Sequence, residues 1–204
     1  MKKGFTLAEL LVTLGTIGVL AAITAPMITG LMPDKNKMMV IKAYKTLSDI
    51  NQELLDDPSI YFSDGNCVGF DCINEHYIEE YKDVEVSTAI EKYRGLLKLK
   101  MHTDDSSSTD YDFETSDGIA WKIGKDEDEN EDEDFKVTIH DAEEETLCMY
   151  GNSGCSKPNQ FKFSVNPASG KVTGEDNLTK AYLKNPHKLN DRKNDYLEAS
   201  SIKN

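Results

Sequence analysis

The chain has 204 residues, a formal net charge of −14 and 38 % hydrophobic residues. That length leaves room for one modest domain and one anchoring segment rather than several domains. So acidic a chain repels nucleic acid and offers few of the Lys and Arg contacts that phosphate binding needs, which makes nucleic acid an unexpected partner.

The longest apolar run opens the chain. From Leu10 to Met32 there is no Asp, Glu, Lys, Arg or His. These 23 residues, as a helix rising ~1.5 Å per residue, reach about 34 Å, enough to cross a hydrocarbon layer of ~30 Å. A cleaved secretory signal fits poorly, although Lys2 and Lys3 make a basic start. Glu9 sits at the mouth of the run, the run is long, and no A-x-A site closes it, Ala25 being followed directly by Pro26. No Cys precedes Cys67, which argues against a lipid-modified cysteine at the start.

Glu9 is the anomaly. A carboxylate near a membrane core costs at least ~2.5 to 3.5 kcal/mol and persists only with a partner. Cleavage after Gly4 creates an amino group on Phe5, four residues from Glu9. Staggered copies can then pair one chain's amine with the next chain's carboxylate, so that the desolvation penalty favours one register of assembly.

The stretch K-K-G-F-T-L-A-E-L-L-V-T-L, Lys2 to Leu14, resembles the N-terminal signature of type IV pilins and of the pseudopilins of type II secretion systems. The resemblance covers Lys2 to Ala25 and fades beyond Lys42. It implies cleavage between Gly4 and Phe5 by a prepilin peptidase, N-methylation of Phe5, and Glu9 as the carboxylate that aligns subunits. Gly18 and Pro26 stand where such helices carry weakening residues. It also implies a pilin-like α+β fold, with a long N-terminal helix, half transmembrane and half amphipathic, packed on a small antiparallel sheet. The implied partners are copies of the chain, other pilin-like subunits, the prepilin peptidase, an inner-membrane assembly platform and membrane lipid. The implied location is the bacterial inner membrane, single-pass, with the C-terminal domain periplasmic or extracellular. The expected divisions are a leader at 1–4, a membrane and filament-core helix at 5–32, its amphipathic continuation at 33–57, an exported domain at 58–174 and a polar tail at 175–204.

After the anchor, Asp34 to Asp57 reads as a helix with one apolar stripe: Val40, Ala43 or Tyr44, Leu47, Ile50 and Leu54. Lys35, Lys37, Lys42 and Lys45 suit either an anionic headgroup layer or a plain solvated face. Asp57-Pro58 ends the helix. Ser87 or Thr88 caps a second helix from Ala89 to Lys98, burying Ile90, Tyr93, Leu96 and Leu97. Thr103 to Asp112 has the composition of a polar loop.

Three segments alternate with period two, Ile119 to Ile123, Phe135 to Ile139 and Phe161 to Val165, as in an antiparallel sheet covered on one side. The helix stripe from Val40 to Leu54 is the expected cover, with Trp121 in the core. A hairpin turn is expected at Asn166 to Gly170, with Lys171 to Thr173 beginning the return strand. From Gly174 onward the chain reads as a partly ordered polar tail, with short helices near Leu178 to Lys184 and Asp191 to Ala199.

Four cysteines allow three pairings. In an exported, oxidising setting the close pairs Cys67-Cys72 and Cys148-Cys155 are expected; neither spacing suits a C-x-x-C zinc or redox site. Asp126, Asp128, Asn130, Asp132 and Asp134 place oxygen ligands at alternate positions, a calcium-like pattern. Counting from Asp126, however, Glu131 replaces the turn glycine of an EF-hand and Val137 its closing Glu, which favours a solvated, self-repelling loop. Apart from that calcium no cofactor is expected. No H-E-x-x-H, G-x-S-x-G or phosphate-binding glycine loop occurs, and the four histidines are scattered. The chain is therefore not expected to be an enzyme. The alternative is a membrane-anchored calcium-binding module or enzyme that never polymerises.

Overall fold

The computed structural model describes residues 6–31, 34–60, 67–73, 88–103, 110–124 and 134–202, and within the first segment the side chains of 6–22. Helix α1 (Leu7–Leu31) starts at Thr6. The Thr6 hydroxyl accepts from the Glu9 amide at 3.3 Å and Glu9 Oε2 accepts from the Thr6 amide at 2.8 Å, a reciprocal cap of the helix start. Every described side chain of α1 is exposed. The apolar ones, Leu7, Leu10, Leu11, Val12, Leu14, Ile17, Val19 and Leu20 among them, surround the axis instead of forming a stripe. Among the described residues no helix is long and apolar enough to cross a membrane. The described side chains of α1 end at Ala22, a stretch of ~24 Å from Leu7 at ~1.5 Å per residue.

Helix α2 (Lys35–Asp56) begins anew rather than continuing α1. Asp34 has extended backbone, φ −65° and ψ 113°, and its carboxylate accepts from the amides of Asn36 and Lys37. The amphipathic continuation expected at 33–57 is thus corrected to a separate, capped helix. The physical reason lies in Pro33-Asp34: proline biases its predecessor away from helical backbone, and Asp is a strong N-cap. The stripe Val40, Ala43, Leu47, Ile50 and Leu54 is buried, with Ala43 rather than Tyr44 facing inward. The helix stops before extended Asp57 and Pro58.

A short 3-10 turn, Gly69–Cys72, buries Phe70, whose ring stacks at 4.7 Å on Tyr93. Helix α3 (Ala89–Met101) carries Tyr93, Leu96 and Leu97 inward and runs three residues past the expected Lys98, closing on left-handed His102. Thr88 and Glu91 cap its start reciprocally. Buried Tyr93 donates to Asn51 Oδ1 at 2.8 Å, and Asn51 Nδ2 donates to the Gly170 carbonyl at 2.9 Å. That chain of bonds ties α3, α2 and the last hairpin together while satisfying each buried polar atom it uses.

The sheet is an antiparallel meander in the order β1 (Phe113–Glu114), β2 (Ile119–Gly124), β3 (Phe135–Asp141), β4 (Gln160–Val165) and β5 (Val172–Gly174). Trp121 stands opposite Ile139, and Ile139 opposite Phe161. Period two therefore puts this row, and the rows of Ile123, Val137 and Phe163, on the covered face. Lys122, Thr138 and Lys162 form a row on the other face. Asn166 to Gly170 makes the β4–β5 turn, as expected. The core is one cluster shared by α2, α3 and the sheet. The fold is α+β: helices with a five-stranded antiparallel sheet.

Two C-terminal helices complete it, α4 (Asn177–Lys184) and α5 (Arg192–Ser201). The short helices expected there exist, but the segment is not a loose tail. Leu178, Ala181, Tyr182 and Ala199 are fully buried, because the few apolar residues of this polar stretch converge on one face against α2 and β4.

Candidate functional site

Gly4 and Phe5 lie outside the described residues, so the candidate processing site is represented by its neighbour Glu9. Both Thr6 donors, amide and hydroxyl, reach Glu9 Oε2 at 2.8 Å. Glu9 thus has a role inside its own chain, that of a helix cap, and the T-x-x-E spacing that signals it is readable in the sequence. Among the described residues Oε1 has no hydrogen-bond partner, which leaves one carboxylate oxygen for a donor from another molecule.

Where α1 gives way to α2, contacts from the C-terminal helices converge on Asp34 and Lys37. The Asp34 amide donates to the Leu189 carbonyl at 3.0 Å. Asp34 Oδ2 accepts from the Tyr182 hydroxyl at 3.5 Å and pairs with Arg192 Nε at 3.4 Å. Lys37, read from the sequence as headgroup-facing or solvated, is buried instead. Its ammonium bonds both Asp195 oxygens, at 2.9 and 2.8 Å, and stands 5.7 Å from the centre of the Tyr182 ring. Burial pushes the Asp195 carboxyl above its ordinary range and the Lys37 bond opposes that. Lys35 pairs with Asp141 and Lys42 with Asp117 at 2.5 Å. Of Lys35, Lys37, Lys42 and Lys45, the first three are therefore engaged by the domain itself.

Both expected disulfides are present, Cys67–Cys72 and Cys148–Cys155, with Cα separations of 5.2 and 5.7 Å. Of the five candidate calcium ligands, Asp126, Asp128, Asn130 and Asp132 fall outside the described residues. Asp134 is described and is committed elsewhere, accepting from Ser164 Oγ at 2.6 Å and Asn166 Nδ2 at 3.0 Å. Among the described residues no group of three or more His, Cys, Asp or Glu is placed to hold a metal ion. His140 is buried on the outer sheet face, with Nδ1 donating to the Asp141 carbonyl at 2.9 Å. Among the described residues its Nε2 has no hydrogen-bond partner.

Sequence reasoning missed the α1–α2 junction because its partners are remote: Asp195 lies 158 residues from Lys37. No protein-family model, curated protein or solved structure matches the chain.

Proposed function

We infer that the chain is a structural subunit of a type IV pilus-like or type II secretion filament, stored in the inner membrane through its N-terminal helix. Prepilin peptidase processing between Gly4 and Phe5 then releases it for polymerisation. One observation carries this reading: α1 is apolar on every side and all its described side chains are exposed. A helix apolar all round needs lipid or other helices against it, and this one has no cover in its own domain among the described residues. The motif Gly4-Phe5-Thr6-Leu7 followed by Glu9 supplies the second support.

On this reading lipid surrounds the helix in the membrane, and neighbouring subunits replace lipid in the filament. Glu9 caps its own helix through Oε2 and takes the Phe5 amine of the adjoining subunit on its other oxygen. The two disulfides suit an exported domain.

The test is assembly in a host with an active prepilin peptidase and assembly platform. The chain is expected in the sheared filament fraction, and its α1-deleted form is not. Recovery of the intact chain from membranes alone, as monomers, under conditions where the host's own filaments assemble, would favour the non-polymerising module instead.

A further inference from the structure

The acidic character of the chain is locally reversed in its C-terminal helices. Between Lys180 and Lys193 there are five cations, Lys180, Lys184, Lys188, Arg192 and Lys193, against the single acid Asp191. All five are exposed. This segment forms the end of α4, the α4–α5 connection and the start of α5.

Its position is fixed by the Asp34 amide, which donates to the Leu189 carbonyl at 3.0 Å. Leu31, the last residue of α1, is three residues before Asp34, and three residues of chain reach at most about 11 Å. Leu189, in the middle of the basic connection, therefore lies within roughly 15 Å of the end of α1, whatever direction α1 takes. Arg192 is partly engaged by Asp34 and stacks on Tyr196, and Lys184 pairs with Glu198. Lys188 and Lys193 have no side-chain partner among the described residues. Leu197, 59 % exposed, shares the face of Lys193 one turn on, which adds an apolar contact beside the charge.

We propose that the α4–α5 connection is a membrane-surface contact that seats the domain on anionic phospholipid headgroups beside the exit of the anchor. This rests on α1 being the membrane anchor. An otherwise acidic domain is repelled by an anionic leaflet, whereas a Lys or Arg held near that surface gains about 1 kcal/mol. The cations therefore set which end of the domain faces the lipid. Of the α2 lysines, Lys37 is buried and Lys35 and Lys42 are paired within the domain, which leaves Lys45 as the exposed one with no such pair among the described residues.

The experiment reconstitutes the full chain in vesicles of phosphatidylcholine alone, or of phosphatidylcholine with phosphatidylglycerol, and reads amide hydrogen exchange at 185–193. Protection is expected to rise with phosphatidylglycerol and to fall at high salt. It is expected to drop by about ten-fold or more in the Lys188→Ala, Lys193→Ala double variant and to persist in the corresponding Arg double variant. Equal exchange in both vesicle types would overturn the proposal. So would protection that follows the number of chains per vesicle instead of the lipid, which would assign the cations to the acidic surface of a second copy. Flotation with phosphatidylcholine vesicles reads the anchor separately. A chain that fails to float defeats the anchor reading and this proposal together, whereas one that floats without lipid-dependent protection defeats only the latter.

Discussion

Lys37 and Asp195 form a buried ion pair that joins the first turn of α2 to α5, with both carboxylate oxygens within 2.9 Å of the ammonium and neither side chain more than 2 % exposed. A buried pair of this kind is a weak source of net stability but is costly to break on one side. Lys37→Met or Asp195→Leu alone is expected to lower unfolding free energy by about 3 to 5 kcal/mol, with the double variant close to wild type. Urea denaturation of the three variants checks this, and additive losses would contradict it.

Acid dependence should come from a different pair. The Lys35 bond, the largest influence, holds the Asp141 carboxyl below its ordinary range, with burial opposing. A depressed folded value means that the stabilisation is present above the unfolded value of about 3.8 and is lost as pH falls through the lower folded one. Lys35 is 76 % exposed, so solvent and salt screening limit the effect to about 1 kcal/mol or less. Lys35→Met is expected to lower stability by that amount near neutrality, where the bond is formed, and to match wild type once pH falls below the folded value, as read by thermal unfolding across a pH series.

Glu9 has two roles to separate, a helix cap and a charge. Gln can cap as Glu does, whereas Ala cannot. If the charge aligns subunits, Glu9→Gln and Glu9→Ala reduce filament incorporation alike, while both still enter the membrane. If only the cap matters, Glu9→Gln assembles normally. Quantifying each variant in sheared filaments beside wild type decides between them.

Gly69 has φ of 61°, and a Cβ there would stand 2.0 Å from the Pro167 carbonyl oxygen and 2.4 Å from Ala168 Cα. Gly118 has φ of 78° with nothing within 4 Å of the same position. Gly118→Ala is therefore expected to cost only the left-handed strain, about 1 to 2 kcal/mol. Gly69→Ala adds displacement of the disulfide turn from the β4–β5 hairpin, a further ~1 to 3 kcal/mol. Equal losses in denaturant would show that the turn does not press on the hairpin.

Much of this domain is legible locally. Phe135, Val137 and Ile139, and Phe161, Phe163 and Val165, alternate in sequence and are all buried, because a sheet covered on one face imposes period two. Asn166 to Gly170 and Thr88 follow local turn and cap chemistry in the same way. The Asp34 cap hides inside a resemblance that implies one unbroken helix. Burial of Lys37 and the docking of α4 and α5 on α2 depend on partners more than a hundred residues away, which no window of sequence contains. Tyr182 illustrates this: in a polar stretch, it is buried between Phe161 of β4 and Lys37 of α2.

The proposed processing of the N-terminal helix is read by intact-mass measurement of the chain recovered from membranes of a host with an active prepilin peptidase. The expected mass lacks Met1 to Gly4 and carries one added methyl group. A chain that retains its first four residues in that host would contradict it.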